Sequence, residues 1–127
     1  MPKKLIINGR LAGMNELIEK NRQNAYAGAK LKREAQADVI WFIRTQLKGP
    51  LREPVYMKYL WVEKDRRRDM DNVSAFGRKI IQDALVVTGR LKNDGWDNIT
   101  GFCDDFAVDN KRPRIEVTIY EAGEEIP

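Results

Sequence analysis

A long proline-free stretch of helix-forming residues is the feature that most constrains the fold. From Glu16 to Leu47 the sequence is rich in Ala, Glu, Lys, Arg and Gln, and Lys48-Gly49-Pro50 ends it. Its second half carries apolar residues at near-helical spacing, namely Leu31, Ala35, Val39, Phe42 and Ile43. We therefore predict a helix whose C-terminal half is buried. Residues 20–30 are more polar and form either a loop or a separate helical turn, with Gly28 as a weak point.

The rest of the chain alternates between strand and helix patterns. We predict strands at Lys3–Ile7, Pro54–Glu63, Ile99–Val108 and Arg114–Tyr120, and a second helix at Val73–Val87. The short link Asn110–Pro113 predicts that the last two strands form a hairpin. The expected fold is α+β, a single small domain over residues 1–127 in the order β-α-β-α-β-β. It has a mixed sheet with a C-terminal hairpin packed on two helices, and the acidic tail, residues 121–127, is expected to fray.

The composition excludes several kinds of chemistry. The chain has no histidine and one cysteine, so Ser-His-Asp and Cys-His catalysis, His-containing zinc sites and Cys₄ clusters are ruled out. Cys103 has no intrachain partner for a disulfide, which fits a reducing, cytoplasmic location. An enzyme built from these residues would rely on carboxylates, lysines, arginines and a hard metal such as Mg²⁺, Mn²⁺ or Ca²⁺.

The net charge of +4 is unevenly spread. Residues 1–79 contain 18 Lys and Arg against nine Asp and Glu, whereas residues 80–127 contain five against ten. A basic N-terminal part fits a polyanionic partner such as nucleic acid, and on charge alone a merely solvated surface is an equal alternative. No apolar stretch approaches the ~20 residues of a spanning helix, so we expect no membrane association.

The segment Arg66-Arg67-Arg68-Asp69-Met70-Asp71-Asn72 carries the most informative chemistry, because it links a predicted strand to a predicted helix. Two carboxylates at i and i+2 repel each other unless a cation, such as a divalent metal, lies beside them. Val73 stands where an EF-hand has its third ligand, so that motif is excluded. The alternative is a polar loop with a helix-capping aspartate. The candidates for a third ligand are Asp94, Asp97, Asp104 and Asp105.

Three motifs, in this order, resemble those of RusA-type Holliday-junction resolvases. They are the arginine-rich segment 66–72, Lys79 followed by Asp83-Ala84-Leu85, and Asn93-Asp94. The resemblance covers roughly residues 62–120. It implies a small homodimeric nuclease that binds four-way or branched DNA and resolves Holliday junctions by symmetric phosphodiester cleavage in recombination and repair. It also implies Mg²⁺ as cofactor, with Mn²⁺ as a substitute, no organic cofactor, and a cytoplasmic protein encoded by a bacterium or a phage.

The resemblance assigns roles to individual residues. Asp69 and Asp71 look like the family's first two metal-binding aspartates, Asp94 like the third, and Lys79 like its functional helix lysine. The sequence departs from the shortest members by one extra helical turn before Asp83, and Ala75 stands four residues after Asp71. The predicted DNA-binding residues are Arg66, Arg67, Arg68, Lys20, Arg22, Lys30, Lys32 and Arg33.

Two other functions stay open at this point. One is a non-catalytic module that binds branched DNA. The other is a nucleotidyl or glycosyl transferase with an Asp-x-Asp metal site, for which 127 residues is a short chain. Trp96, beside Asp94, and Tyr26 are candidates for stacking on unpaired bases. Trp61 and Phe76 are expected in the core.

Overall fold

The computed structural model describes all residues from Met1 to Pro127. Three helices and four strands follow one another in the order β-α-α-β-α-β-β. Their bounds are β1 (Lys3–Asn8), α1 (Met14–Gln23), α2 (Ala25–Gln46), β2 (Val55–Glu63), α3 (Met70–Val87), β3 (Ile99–Val108) and β4 (Arg114–Tyr120). The predicted α+β class is confirmed, with one helix more than expected.

The extra helix arises because the long helical stretch breaks at Asn24. The side chain of Asn24 accepts a hydrogen bond from the backbone N–H of Ala27 (2.7 Å), so Asn24 caps α2 and separates it from α1. Residues 20–30, where we predicted a loop or a separate helical turn, are instead divided between the end of α1 and the start of α2, and the break lies at Asn24 and not at Gly28. Helix α3 also begins earlier than predicted, at Met70 instead of Val73.

The sheet has the strand order β1-β4-β2-β3. Strand β4 is antiparallel to both β1 and β2, whereas β3 runs parallel to β2. The predicted mixed sheet is confirmed, but the predicted C-terminal hairpin is wrong, since β2 lies between β3 and β4. The short link between them crosses the end of β2, where the N–H of Asp109 donates to the carbonyl of Glu63 (2.8 Å).

The core lies between one face of this sheet and the helices. It takes its side chains from alternate positions of the strands and from the inner stripes of α2 and α3. Trp61 (1 % exposed) and Phe76 (3 % exposed) belong to it, as predicted. The carboxyl ends of the parallel strands β2 and β3 meet at one edge, just before α3 begins. None of the helices has the length and apolar character needed to cross a membrane.

Part of the acidic tail is tied to the fold, contrary to the expected fraying. The carboxylate of Glu121 is buried and accepts hydrogen bonds from the ammonium of Lys3 (2.6 Å) and the N–H of Arg52 (2.7 Å). Burial alone raises the pKa of Glu121, but the bonds from Lys3 and Arg52 outweigh it, and the net pKa is lowered from 4.5. The carboxylate therefore stays charged and holds the start of the tail on the sheet.

Candidate active site

The two aspartates of the Asp-x-Asp motif lie at the N-terminus of α3. Asp69 is the N-cap residue, and its carbonyl accepts from the N–H of Val73 (3.0 Å), while its side chain makes no capping bond. Asp71 lies in the first turn. Both side chains are exposed, and neither takes part in any of the ion pairs within the chain. Two unpaired carboxylates therefore stand two residues apart, next to the carboxyl ends of β2 and β3.

Asn72 fixes the position of this helix end. Its side-chain oxygen accepts a hydrogen bond from the N–H of Asn15 in the first turn of α1 (2.7 Å). Gly13 allows this approach, because a Cβ on Gly13 would lie 2.6 Å from that same oxygen. The N-termini of α1 and α3 are thus joined, and the backbone that carries Asp71 is held from a second direction.

Arg68 was predicted to contact DNA, but its guanidinium is bonded within the protein. Its Nε donates to Glu63 Oε1 (2.9 Å), its Nη2 to Glu63 Oε2 (3.0 Å) and its Nη1 to the carbonyl of Leu11 (3.1 Å). The Arg68 and Glu63 side chains are each 12 % exposed. This two-pronged pair orders the link between β2 and α3, and leaves Arg68 few donors for a phosphate.

Arg66 and Arg67, in contrast, are exposed. Arg67 is 87 % exposed and approaches Asp65 only loosely, with Nε 3.6 Å from Oδ2. Arg66 has no acidic partner. It lines a groove of about 670 Å³ together with Asp69, Met70 and Phe106. Arg68 also lines this groove, so the structure brings two of the predicted arginines and one of the predicted aspartates to the same groove, and only Arg66 among them has no acidic partner.

Lys79 and Asp94 meet halfway along α3. The ammonium of Lys79 lies 3.0 Å from Asp94 Oδ2 and 3.0 Å from Asp83 Oδ1. Hydrogen bonds to Asp94 and then to Asp83 raise the pKa of Lys79, and the bond from Lys79 lowers the pKa of Asp94. Both groups are therefore charged at neutral pH. The two residues, to which the resemblance gave separate roles, are in direct contact.

Asp94 stands apart from Asp69 and Asp71. The chain reverses at Gly89 (φ +73°), and the following loop runs back along α3 as far as Lys79. Lys79 is eight residues beyond Asp71, which is about 12 Å along the helix axis. No group of three acidic, cysteine or histidine side chains in the chain is arranged to hold a metal ion. The structure thus places two of the three predicted ligands at one helix terminus and leaves the third with Lys79.

The other predicted DNA-binding residues lie on the first two helices. Lys20 and Arg22 are in the last turn of α1, and the remainder, Lys30, Lys32 and Arg33, are in the first half of α2. Lys20 and Lys30 line one cleft of about 320 Å³. All five side chains are exposed, and the Arg33 guanidinium lies 5.9 Å from the ring of Tyr26.

Several residues have roles that sequence reasoning did not assign. Asp104, a candidate ligand, instead pairs with Arg78 and accepts a hydrogen bond from Trp61 Nε1 (2.9 Å). Lys64 and Lys111 line a groove with Arg66 and were not among the predicted binding residues. Trp96, in contrast, is 97 % exposed, as its candidacy for stacking requires.

The donor chemistry of this site fits a hard divalent cation. Mg²⁺ is commonly bound by one or two carboxylates and completes its shell with water and substrate phosphates, and Asp69 and Asp71 offer two carboxylates free of other partners. No protein-family model matches the sequence, and no curated protein matches it.

Proposed function

We propose that this protein is a Mg²⁺-dependent, structure-selective endodeoxyribonuclease that resolves four-way DNA junctions, as RusA-type resolvases do. The observation that carries the proposal is the pair of unpaired carboxylates, Asp69 and Asp71, at the start of α3 beside the unpaired Arg66. The resemblance of the three ordered motifs to those of RusA-type resolvases is the reason for proposing four-way DNA junctions as the substrate. The absence of histidine leaves a metal as the natural means of activating water.

The roles of the side chains follow from their positions. Asp69 and Asp71 hold the metal, which when bound polarises the scissile phosphate and lowers the pKa of a water molecule. Arg66 binds a phosphate next to the one that is cut, in the groove that it shares with Asp69. Mn²⁺ substitutes for Mg²⁺, since it prefers the same oxygen ligands.

Lys79 and Asp94 act as a unit in this proposal. Lys79 is 63 % exposed and charged, so its ammonium can contact the DNA backbone when it exchanges one of its two carboxylate partners, Asp83 or Asp94, for a phosphate. Asp94 orients Lys79 through their hydrogen bond of 3.0 Å. Asp94 is thus a positioning residue in the conformation described, and joins the metal ligands only if its loop moves toward the N-terminus of α3.

Two symmetric nicks require two copies of the site. We therefore propose that the active form is a homodimer, and that it works in the cytoplasm of a bacterium, encoded by the host or by a phage. Light scattering of the purified protein is expected to give twice the chain mass of 14.7 kDa. A monomer at micromolar concentration in the presence of junction DNA contradicts this part of the proposal.

The test is cleavage of a mobile four-way junction with Mg²⁺ or with EDTA. We expect paired symmetric nicks with Mg²⁺ alone. Asp71→Asn is expected to bind the junction normally and to lose nicking by at least 100-fold, whereas the control Asp38→Asn, an exposed carboxylate on α2, keeps the native rate. Native cleavage by Asp71→Asn, or cleavage of flaps and single strands only, contradicts the proposal.

A second candidate is a non-catalytic module that binds branched DNA. The distance between Asp94 and the Asp69–Asp71 pair favours it, because the three carboxylates implied by the resemblance do not form one group. This alternative predicts junction binding that survives replacement of Asp69, Asp71 and Asp94, and no nicking by the native protein in Mg²⁺ or Mn²⁺.

A further inference from the structure

A second groove lies on the opposite side of the link between β2 and α3. It has a volume of about 820 Å³, and we call it the corner groove. Its main lining residues are Leu60, Val62, Lys64, Arg66, Lys111 and Arg114. It shares Arg66, Asp65, Ala107 and Val108 with the groove that contains Asp69. The two grooves are therefore continuous around the carboxyl ends of β2 and β3.

The acidic residues of the corner groove already accept hydrogen bonds from groups of the protein. Asp109 Oδ1 accepts from the backbone N–H groups of Lys111 (3.1 Å) and Arg112 (3.2 Å), and its Oδ2 lies 3.4 Å from Arg114 Nη1. These bonds lower the pKa of Asp109, and the bond from the backbone N–H of Lys111 has the largest effect. Asp65 likewise accepts from the N–H of Arg67 (3.0 Å).

The cations of the corner groove are, by contrast, largely free. The side chains of Lys64, Arg66 and Lys111 are exposed and enter none of the ion pairs of the chain. They surround an apolar floor formed by side chains of β2 and β3. An open groove in which three unpaired cations outnumber two acids that already have partners attracts a polyanion. Its continuity with Asp69 places that polyanion on a path to the proposed metal-binding carboxylates.

We propose that the corner groove binds the phosphate backbone of a DNA arm and directs it to Asp69 and Asp71, with Lys64 and Lys111 as the added contacts. This inference depends on the proposed function for the identity of the polyanion. Lys64 follows β2 and Lys111 lies between β3 and β4. The two lysines can therefore contact two separate phosphates of one DNA strand. Each phosphate that they neutralise releases condensed counterions, which makes the binding measurably dependent on salt.

The test compares two double variants with the same net charge. Lys64→Gln/Lys111→Gln removes the two groove lysines, and Lys48→Gln/Lys92→Gln removes two exposed lysines near the other end of α3. Binding to a four-way junction is measured by fluorescence anisotropy between about 50 and 200 mM salt. We expect the groove variant to bind about tenfold more weakly, and the slope of log K against log salt to fall by about two. The control is expected to match the native protein within about twofold.

The outcomes separate this inference from the proposed function. Equal affinities and equal salt slopes for the two double variants overturn the inference, even if the native protein nicks junctions in Mg²⁺. Groove-dependent binding by a native protein that does not nick in Mg²⁺ or Mn²⁺ supports the inference and overturns the nuclease proposal. Absence of DNA binding by the native protein overturns both. Circular dichroism and thermal melting of both variants establish that they fold alike.

Discussion

Arg68 illustrates how a single side chain can have a role that its sequence context hides. Three arginines follow one another, and nothing in their order distinguishes the one that faces inward from the two that face solvent. The difference comes from tertiary structure, since Glu63 at the end of β2 and the carbonyl of Leu11 converge on Arg68 alone. The Asp-x-Asp pair could be found from sequence, because its unusual charge density is local. The partner of Arg68 could not.

Replacing Arg68 with alanine is expected to lower the free energy of unfolding by about 2 kcal/mol, because the buried carboxylate of Glu63 then keeps only its longer contact with Arg10 (3.8 Å). Arg67→Ala is the matched control. Its guanidinium is 87 % exposed and 3.6 Å from Asp65, so a loss of at most ~0.5 kcal/mol is expected. Urea unfolding followed by tryptophan fluorescence measures both. Unchanged stability of Arg68→Ala together with weakened DNA binding would restore the prediction that Arg68 contacts DNA.

At the scale of elements, the strand bounds follow from the sequence but the strand order does not. Strand β3 has the predicted bounds, and β4 shows the predicted alternation with Ile115, Val117 and Ile119 buried. The short link Asn110–Pro113 suggested a hairpin because length was the only information available. The charges Asp104 and Asp105 were a usable signal, since an edge strand tolerates them better than a central strand does.

Contact between α3 and the sheet depends on a glycine. A Cβ on Gly77 would lie 2.7 Å from Cζ3 of Trp61, which is 1 % exposed and hydrogen-bonded through Nε1 to Asp104. The indole therefore has no space to move. We expect Gly77→Ala to destabilise the protein by about 2 kcal/mol, even though alanine favours a helix by about 1 kcal/mol.

Gly28 in α2 provides the comparison for Gly77. A Cβ at Gly28 would meet the side-chain oxygen of Asn21, which is exposed and free to rotate away. Gly28→Ala is therefore expected to stabilise the protein by up to about 1 kcal/mol. Thermal melting is expected to show a lower melting temperature for Gly77→Ala and a higher one for Gly28→Ala. Destabilisation by both changes to the same extent would mean that the Trp61 contact does not limit the approach of α3.

For the whole molecule, the decisive feature is that α3 separates two charged groups. Asp69 and Asp71 lie at its N-terminus, and Asp94 reaches it eight residues later, at Lys79. The sequence already indicated this separation. The four residues Arg90–Asn93 can extend at most ~14 Å, which is less than the ~22 Å length of the predicted helix that they would have to run back along. It could not show where the loop stops, because that depends on Leu91, which is buried in the core at 1 % exposure.

This separation predicts which carboxylates bind the metal in the absence of DNA. Binding of Mn²⁺, a paramagnetic substitute for Mg²⁺, can be measured by electron paramagnetic resonance without any activity assay. Asp69→Asn and Asp71→Asn are each expected to weaken Mn²⁺ binding by at least tenfold, since each leaves a single carboxylate at the N-terminus of α3. Asp94→Asn is expected to change the affinity by less than twofold, because its carboxylate already bonds Lys79.

Lys79→Met distinguishes this arrangement from one in which the loop closes on the metal. If Lys79 holds Asp94 away from the Asp69–Asp71 pair, removing the ammonium frees the Asp94 carboxylate without changing the other two. We expect the Mn²⁺ affinity of Lys79→Met to stay within twofold of the native value, because the Asp94 loop does not reach the N-terminus of α3. A tenfold increase that disappears in Lys79→Met/Asp94→Asn would establish that Asp94 can become the third ligand. A loss of Mn²⁺ binding in Asp94→Asn alone would contradict the separation of the two groups, since only a site assembled from all three carboxylates behaves in that way.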